Sequence, residues 1–527
     1  MFYKIGVDVG GTNTDAVLVN HNNHILAKTK ETTTLNVSEG IEKAIKKILQ
    51  QSDISKEKIK YIMLGTTHCT NALVERKELN KIGAIRIGLP ASSAIPIMED
   101  FPKDLKLLLS KHCYMVHGGV EYDGRLISPL NEREIKDVLH KMKGEIESLA
   151  ITGIFSKIIP DQELQVADWA KEILGNDIKI SCSHQIGGLG LLERENACIL
   201  NASLQEVALK MVNALEETTK RLNLSAQLFI GQNDGTLMSL KQAQDFPVLT
   251  ISSGPTNSIR GAGALSKIKN GIVIDVGGTT SDGGVLVNHF PRESTQAAQI
   301  GGVLTNFRMP DVVAVGIGGG TIVRFENGNC TLGPDSVGYL LKEKAIAFRG
   351  EILTLTDFSL AINKLQIDGA ITNIELQEKI QEKSSIPFKE ALLKVEEQLQ
   401  FTIERLVEKL KTNAQEIPVI ACGGGAFLLP KVIAGASEVV FTEHMEVANA
   451  YGASIAQISS ELEIVINTLQ KDEKDEMEKL LSSARTTLIK NGAAINSIHI
   501  LTKESTPLAY LPGAVKLKVK ICGNLIQ

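Results

Sequence analysis

Apolar runs of strand length alternate along this chain with stretches whose apolar residues recur at helical spacing. The first residues, 4–9, 15–19 and 24–30, predict three short strands in a meander, and "VSEGIEKAIKKILQQ" predicts a helix directly after them. Further apolar runs, "KIKYIMLG", "KIGAIRIGL" and "ESLAITGIF", are separated by helical patterns at 131–143 and 162–174. This alternation of strands and helices is typical of an α/β fold.

The second half of the chain repeats this pattern after a long helical stretch. Residues 191–223 are continuously compatible with a helix, which we expect to link the two halves. A charged stretch at 377–412 predicts one or two long helices, and "EIPVIACGGGAFLLP" then predicts a strand that ends in three glycines. Because 527 residues exceed the size of one hydrophobic core, we expect two lobes, 1–190 and 191–460, and a small extension at 461–527. The extension combines a charged helix with the strand-like run "GAVKLKVKICG", an α+β arrangement.

One short sequence occurs twice in the chain. "KIGVDVGGTNTDAVLVN" begins at Lys4, and "GIVIDVGGTTSDGGVLVN" begins at Gly271. In both copies an apolar strand runs into Asp-Val-Gly-Gly-Thr, and a second aspartate follows at the same offset before the next apolar run. Each copy therefore predicts a β-hairpin with glycines and hydroxyls at its bend.

The residue types at the two bends are those of a phosphate site. Glycines allow backbone N–H groups to approach a phosphate closely, and threonine hydroxyls add further donors. An aspartate at the end of a strand supplies the hard oxygen that Mg²⁺ prefers. A single bend of this kind can be a mere tight turn, whereas two copies indicate two lobes that clamp a triphosphate from opposite sides.

A third element follows in "VIACGGGAFLLP", where a strand leads through three glycines into a helix. The N-terminus of such a helix can bind an anion or a ribose. Taken alone, the segment would more simply be a turn that leads into a helix. Together the three elements, in this order, resemble the phosphate-1, phosphate-2 and adenosine motifs of the actin-like ATPase superfamily. This resemblance implies a two-lobed, ribonuclease H-like α/β fold with duplicated lobes. The chain has no G-x-x-x-x-G-K-[ST] motif, so a P-loop is excluded.

ATP and Mg²⁺ are the ligands that these motifs imply. We assign Asp8 and Asp275 to Mg²⁺. We expect the two bends and the glycine turn to bind the nucleotide through Gly10, Gly11, Thr12, Thr14, Gly277, Gly278, Thr279, Thr280, Gly423, Gly424 and Gly425. Two roles stay open for Asp15 and Asp282, which either support the metal site or orient water and accept a proton. All four aspartates are therefore candidate catalytic residues.

Segments outside these motifs resemble the hydantoinase A / 5-oxoprolinase family. They include "LGTTHCTNALVERK", "LLERENACILNASL", "ISSGPTNSIRGAG", "PDVVAVGIGGGTI" and "VANAYGASIA", in collinear order up to about residue 458. The resemblance implies ATP-dependent opening of a cyclic amide, such as 5-oxoproline or a hydantoin, through phosphorylation of its oxygen. The chain looks like a short, stand-alone branch of this family. It has Leu64 where oxoprolinases often carry a histidine before Gly-Thr-Thr.

The loop after "KIKYIMLG" is the candidate substrate site. Its side chains Thr66, Thr67, His68 and Asn71 can hydrogen-bond to a carbonyl or to a phosphate. The alternative is a capped helix start that uses Thr70 or Asn71, with His68 as ordinary polar surface.

Net charge and cysteine content indicate where the protein is located and which partners it does not bind. A net charge of −5 gives no positive surface for nucleic acid or an anionic membrane, and the start of the chain has no leader pattern. Seven cysteines without a C-x-x-C pair indicate reduced thiols. We therefore expect a cytoplasmic protein with neither disulfides nor a zinc site.

Other function classes remain open. A sugar kinase of the same superfamily shares the first motif, and "GQNDG" places Asn233 and Asp234 like a kinase base. The ATPase subunit of a carboxylase-type complex is another alternative, as is an ATP-driven conformational switch. The family resemblance also implies a partner, because oxoprolinase-type enzymes combine the ATP-binding half with a second large region or subunit. We therefore expect a second subunit of hydantoinase B type, and we leave homo-oligomerisation open.

Overall fold

The computed structural model describes residues 2–11, 13–32, 37–294, 298–307, 309–509 and 511–526. Its strands are β1 (Tyr3–Val9), β2 (Asn13–Asn20), β3 (Ile25–Thr32), β4 (Ile59–Thr66), β5 (Ile82–Leu89), β6 (His112–His117), β7 (Ser148–Gly153), β8 (Lys179–Cys182), β9 (Gln227–Gly231), β10 (Leu237–Ser239), β11 (Gly271–Val276), β12 (Ser281–Val287), β13 (Phe290–Pro291), β14 (Ala298–Ile300), β15 (Val303–Thr305), β16 (Val312–Val315), β17 (Thr321–Glu326), β18 (Asn329–Ser336), β19 (Ile417–Cys422), β20 (Ala436–Phe441), β21 (Ile458–Asn467), β22 (His499–Pro507) and β23 (Ala514–Gly523).

The helices alternate with these strands, as the apolar pattern predicts. They are α1 (Val37–Gln50), α2 (His68–Glu75), α3 (Lys103–Leu109), α4 (Glu132–Met142), α5 (Asp161–Leu174), α6 (Leu191–Ser203), α7 (Gln205–Arg221), α8 (Leu240–Asp245), α9 (Ser253–Ser266), α10 (Leu341–Lys344), α11 (Leu355–Ala361), α12 (Asn373–Ser384), α13 (Phe388–Leu410), α14 (Ala448–Ile455) and α15 (Glu473–Lys490). Within the described ranges, no helix has the length and apolar character that a membrane crossing requires.

A nine-stranded mixed sheet has the order β22-β23-β21-β10-β9-β4-β1-β2-β3. It adds β9, β10 and β21–β23 to strands from the expected lobe 1–190, and this sheet with its helices is called the first lobe below. β1 pairs in parallel with β4, while β1, β2 and β3 form the predicted antiparallel meander. Helices α1 and α7 cover one face of this sheet over a core that includes Ile5, Leu18, Ile41 and Ile45. The side chains of a strand alternate between faces, so the two faces of β1 contact different layers.

The chain beyond β21 continues this same sheet. β21 pairs with β10 at Ile458 and Leu237, and β23 and β22 follow outward from β21. Alternate residues of β23, including Leu517 and Ile521, pack on the apolar face that α15 covers. Lys516, Lys518 and Lys520 alternate with these apolar residues, and Lys518 and Lys520 are buried.

One of these lysines, Lys520, belongs to a buried ion-pair network. Its Nζ lies 2.7 Å from Glu293 Oε1 and 2.9 Å from Asp234 Oδ2, and Glu461 is 3.8 Å away. The Lys520 side chain is only 6% exposed, so these pairs form away from bulk water. The network therefore connects the C-terminal strands to the β9–β10 turn and to the segment after β13.

The second lobe contains a sheet with the order β13-β12-β11-β19-β20, and β16 also pairs with β12. β11 is antiparallel to β12 and parallel to β19, which is the arrangement of β1, β2 and β4 in the first lobe. Helices α11, α12 and α13 supply the core of this lobe. A separate parallel sheet, β6-β5-β7-β8, with α4 and α5, is formed by the segment between α2 and α6.

Helices α9 and α14 connect the two lobes. α14 packs on β1, β2 and β4, whereas α9 packs on β11, β12 and β19, and the two helices also pack on each other. They meet at glycines: a Cβ on Gly261 would lie 1.8 Å from the Ala448 carbonyl oxygen, and one on Gly452 would lie 1.9 Å from the Asn257 carbonyl oxygen. Any other residue at either position would force the helices apart.

Candidate functional site

The two copies of the repeated sequence form the same hairpin twice. In the first, Asp8 of β1 lies opposite Asp15 of β2, and the Gly10 N–H donates to the Asn13 carbonyl at 2.9 Å. In the second, Asp275 lies opposite Asp282, and the Gly277 N–H donates to the Thr280 carbonyl at 2.9 Å. Directly opposite residues of antiparallel strands share a face, so each hairpin presents a pair of carboxylates beside its glycine bend.

Both hairpins line one cleft with a volume of about 710 Å³, within the range of roughly 300–1,000 Å³ that small-molecule sites occupy. The glycine turn after β19 lines it as well. The predicted site residues that the cleft brings together are Asp8, Gly10, Gly11, Asp15, Thr67, Asp275, Gly277, Gly278, Thr279, Thr280, Asp282, Gly423, Gly424 and Gly425. An apolar part of the wall is formed by Leu341, Leu365, Ile367 and Phe427.

The other described members of the predicted set do not line the cleft. Thr14 is fully buried within the first hairpin, and Thr12 lies outside the described residues. Thr66 is buried at the end of β4, with its Oγ1 2.5 Å from Nδ1 of His68. Burial lowers the pKa of His68. Asn71 is exposed on α2 and donates to Thr67 Oγ1 at 3.4 Å.

The predicted substrate loop is thus shorter than its sequence indicates. β4 continues through Thr66 and α2 begins at His68, so Thr67 is the single residue between them. Thr67 is also the N-cap of α2, a place for which the sequence offered Thr70 or Asn71. Within the described chain, Thr67 is the member of the predicted substrate set that lines the cleft.

Asp15 is the most strongly held of the four aspartates. Lys30 of β3 lies directly opposite Asp15 of β2, and its Nζ is 2.7 Å from both Asp15 oxygens. Asn449 of α14 donates through Nδ2 to Asp15 Oδ2 at 2.9 Å and to Asp8 Oδ2 at 3.0 Å. One amide group therefore holds both carboxylates of the first hairpin.

Asp8 is fully buried and incompletely paired. Burial, together with the charges of Asp15 and Asp275, raises the pKa of Asp8 to about 7. The Asn257 amide and the Asp8 carboxylate both lie against Gly65. Asp8 Oδ1 and both polar atoms of Asn257 nevertheless have no hydrogen-bond partner among the described residues. A buried carboxylate oxygen without a donor is an oxygen that a cation could use.

The second hairpin has fewer partners for its carboxylates. Ser258 of α9 donates a hydrogen bond to Asp275 Oδ2, and burial raises the pKa of Asp275. Burial also raises the pKa of Asp282 to about 7, and the Asp275 charge adds to the effect. Asp15 and Asp282 therefore occupy equivalent places in two hairpins but different electrostatic surroundings.

Lys30, Ser258 and Asn449 are site residues that the sequence interpretation missed. Ser258 and Asn449 lie in the quoted segments "ISSGPTNSIRGAG" and "VANAYGASIA", where their position beside an aspartate had no local signal. Lys30 could have been predicted from the pattern, because it belongs to the third strand of the predicted meander. In the structure it lies opposite Asp15 on the neighbouring strand.

A second polar cluster lies in the small parallel-sheet region. Possible ligand atoms of Glu163, Cys182 and His184 lie within 4.8 Å of one another. Glu163 already accepts four hydrogen bonds: from Gly153 N at 2.8 Å, Ser183 Oγ at 2.6 Å, His184 N at 3.0 Å and His184 Nδ1 at 2.6 Å. A carboxylate with both oxygens engaged in this way is a structural anchor for the β8 end.

Family models match most of the chain. A model described as the hydantoinase/oxoprolinase N-terminal region matches residues 4–174, and a model described as hydantoinase/oxoprolinase matches residues 194–462. The chain belongs to the hydantoinase/oxoprolinase family. The predicted family is thereby confirmed.

Two curated relatives place the chain within a varied hydantoinase/oxoprolinase family. Caprolactamase subunit alpha of Pseudomonas jessenii is 24% identical over 399 residues, which cover 70% of this chain and 55% of the relative. The acetophenone carboxylase gamma subunit of Aromatoleum aromaticum is 25% identical over 477 residues, which cover 80% of this chain and 63% of the relative. The chain therefore spans between 55% and 63% of the length of these relatives, both of which are named as subunits.

The fold agrees with a solved structure. The crystal structure of ATP-dependent caprolactamase from Pseudomonas jessenii superposes with a TM-score of 0.80 at 17% identity, over 99% of this chain and 88% of that chain. The predicted two-lobed α/β fold is confirmed.

Proposed function

We propose that this chain binds Mg·ATP between its lobes and phosphorylates the oxygen of a cyclic amide, such as a hydantoin or 5-oxoproline, as a step in ring opening. The pair of hairpins carries the proposal, because both place two aspartates and a glycine bend on one cleft in the same register. When bound, ATP would supply the phosphoryl group that activates the amide. Phosphorylation of the oxygen makes the amide carbon more electrophilic, so that water adds to it and the ring C–N bond breaks. A second water then hydrolyses the resulting acyl phosphate and releases phosphate. The family description and the name of the caprolactamase relative support the cyclic-amide class.

The nucleotide would be held by backbone groups of three turns. The glycine bends of the two hairpins offer N–H groups to the phosphates from opposite lobes, with Thr279 and Thr280 as further donors. Gly423, Gly424 and Gly425 would face the ribose. The apolar wall, which includes Phe427 and Ile367, suits the adenine ring.

Asp8 and Asp275 are the residues that would hold Mg²⁺. Hard carboxylate oxygens from opposite lobes fit this ion, and the unpartnered Oδ1 of Asp8 supports the assignment. When bound, the ion would offset the negative charge of the aspartates and the phosphates. Ser258 and Asn449 would keep the two carboxylates in place, since each donates to one of them.

Asp282 suits the role of proton acceptor better than Asp15 does. Lys30 and Asn449 engage both oxygens of Asp15, which makes it a positioning residue. The pKa of Asp282 is raised to about 7, and a general base works best when its pKa is near the working pH. We assign Asp282 to orient the attacking water or to accept its proton, and Thr67 to contact the substrate.

The alternatives differ in their support. A subunit of a carboxylase-type complex is the second candidate, because the acetophenone carboxylase relative matches 80% of this chain. A sugar kinase is disfavoured, because Asp234 is ion-paired with Lys520 at 2.9 Å and bonded to Thr236, so it is not a free base. We also propose a separately encoded partner of hydantoinase B type, since a partner could exclude water from the activated amide.

The test measures phosphate release and the ring-opened product together. The chain should be assayed with Mg·ATP and 5-oxoproline, hydantoin or caprolactam, and in parallel with acetophenone and bicarbonate. Stimulation of ATP turnover by one cyclic amide, lost in Asp282→Asn, is the expected result. Stimulation by the ketone and bicarbonate alone would favour the carboxylase candidate, and stimulation by none, even with a co-purified partner, would overturn the proposal.

A further inference from the structure

Lys30 stands between the two lobes. It projects from β3 of the first lobe, and a Cβ built on Gly424 of the second lobe would lie 3.4 Å from its Cε and 3.9 Å from its Nζ. The side chain is 32% exposed and lines the cleft, whereas its partner Asp15 is 3% exposed. The ammonium group therefore lies at the surface of the cleft, with the carboxylate behind it.

Asp15 fixes the direction of this ammonium group. A lysine has three N–H donors, and the two oxygens of Asp15, each 2.7 Å from Nζ, account for two of them. The third is directed by the same tetrahedral geometry, away from Asp15. Asn449 in turn fixes Asp15, so the lysine is held by a chain of contacts from α14.

The charge of the cleft makes this lysine significant. The acids that line it are Asp8, Asp15, Asp275, Asp282, Glu343 and Glu446, while the described lysines on its wall are Lys30 and Lys342. Lys30 is the one that contacts a hairpin aspartate. A polyanion that enters between the hairpins meets mostly carboxylates, so a cation held beside them changes its binding strongly.

We propose that Lys30 is a phosphate-binding residue of this site and that Asp15 positions it. The inference rests on the proposed function, because it takes the ligand to be a nucleoside polyphosphate. Lys30 donates its third N–H to a phosphate oxygen and so distinguishes ATP from adenosine. Lys30 also lies beside Gly424 of the second lobe. A phosphate bound to Lys30 would therefore sit where the two lobes come together.

The competing explanation is that Lys30 only neutralises Asp15. In that case removal of the lysine would leave a buried charge unpaired, and it would weaken the binding of all nucleotides and adenosine alike. Removal of the Asp15 charge as well would then restore binding. A phosphate-binding lysine predicts instead a selective loss for phosphorylated ligands, and no recovery in the double variant.

Lys28 supplies a matched control. It lies two positions before Lys30 on β3, and it also joins the lobes: its Nζ is 2.9 Å from His444 Nδ1 and is hydrogen-bonded to Glu446. Lys28→Met therefore removes an interlobe lysine from the same strand and leaves the contact between Lys30 and Asp15 in place.

The experiment measures dissociation constants by calorimetry for a nonhydrolysable ATP analogue with Mg²⁺, for ADP and for adenosine. The quantity of interest is the ratio of ATP-analogue affinity to adenosine affinity. Lys30→Met should lower this ratio by about tenfold to a hundredfold, the range for a lost hydrogen bond to a charged group. Lys28→Met leaves Glu446 of the cleft wall without this cation, and it should lower the ratio less than Lys30→Met does. A second variant combines Lys30→Met with Asp15→Asn, so that no carboxylate is left without its partner. It should show the same loss in the affinity ratio. It also keeps the test valid if the single variant Lys30→Met fails to fold.

Each outcome decides one question. Wild-type protein that binds no ATP analogue would overturn the proposed function itself. Normal ATP-analogue binding with an unchanged ratio in Lys30→Met would overturn the role of Lys30 and leave the proposed function standing. Recovery of the ratio in the double variant, or an equal loss in Lys28→Met, would also overturn it.

Discussion

The buried carboxylate of Asp8 should make the ligand-free protein less stable than it could be. Replacement by asparagine keeps the shape of the side chain and removes the charge. The new amide can accept from Asn449 with its oxygen, and its NH₂ group would take the place of the Oδ1 atom that has no partner. The Asn257 amide nitrogen lies on this side, and a turn of that amide would bring its unused oxygen to the new NH₂ group. We therefore predict that Asp8→Asn stabilises the chain in the absence of Mg²⁺ and nucleotide.

The size of this effect follows from the pKa of Asp8, which rises from 3.8 to about 7 on folding. Below pH 4 both states hold the proton, and the carboxyl costs nothing. As the pH rises from about 4 to 7 the unfolded chain releases the proton while the folded chain keeps it, so stability falls. At about 1.36 kcal/mol per unit, the cost of ionisable Asp8 reaches about 4 kcal/mol at pH 8 and about 2 kcal/mol at pH 5.5.

The assay is urea unfolding in chelator-containing buffer at these two pH values. Asp8→Asn should raise the unfolding free energy at both, with a gain at pH 8 about twice that at pH 5.5. The same variant should lose the stabilisation by Mg·ATP, which for wild type is about 2.7 kcal/mol at a hundredfold excess over Kd. Asp53→Asn, on an exposed loop, is the matched charge change and should have no effect. An Asp8→Asn protein that is less stable than wild type at pH 8 without ligands would refute the reasoning.

Three further changes test the packing of the fold. Gly452→Val should cost about 3 kcal/mol in urea unfolding, because its side chain would displace the Asn257 carbonyl 1.9 Å away; an unchanged midpoint would contradict the close helix crossing. Arg86 of β5 and Glu195 of α6 form a buried ion pair, so Arg86→Met should cost about 3–5 kcal/mol, because it leaves Glu195 without its cation; adding Glu195→Gln should recover most of this loss. Lys520→Met should lower the thermal midpoint, because it leaves Asp234 and Glu293 without their buried cation, and adding Asp234→Asn should recover part of this loss; an unchanged midpoint in the single variant would contradict the buried network.

The hairpins could be predicted from the sequence because their chemistry is local. Asp8 and Asp15 belong to adjacent strands joined by a tight bend, so their spacing alone places them on one face. The same holds for Asp275 and Asp282. That both hairpins face one cleft follows from the duplicated strand arrangement, which the repeated sequence indicated.

The contacts of these aspartates could not be predicted in the same way. Asn449 reaches Asp8 because α14 packs on β1, and Ser258 reaches Asp275 because α9 packs on β11. Such contacts depend on how distant segments pack, and the sequence alone does not state which helix covers which sheet. Lys30 was closer to prediction, but the register between β2 and β3 shifts at Leu18, which a simple count across the turn does not reveal.

The substrate loop shows how the end of one element changes a site. A polar run after an apolar strand was interpreted as a loop with four available side chains. β4 instead continues through Thr66, and α2 starts two residues later, so little loop remains. Thr66 and His68 then satisfy each other at 2.5 Å, and Thr67 alone lines the cleft. Polar residues where a strand passes into a helix can hydrogen-bond to each other and are then not available to a ligand.

The difference between the two hairpins matters more than their similarity. Equivalent hairpins give matching places to Asp15 and Asp282. Asp15 has a lysine opposite it and accepts from an amide, whereas burial dominates at Asp282. A symmetric clamp could bind a triphosphate equally well from both sides, but chemistry at its terminal phosphate needs one side to differ. Under the proposed function the first lobe supplies a positioned cation, and the second supplies a carboxylate that can change its proton. The duplicated fold would then provide the clamp, and the residues around each bend would provide the direction of the reaction.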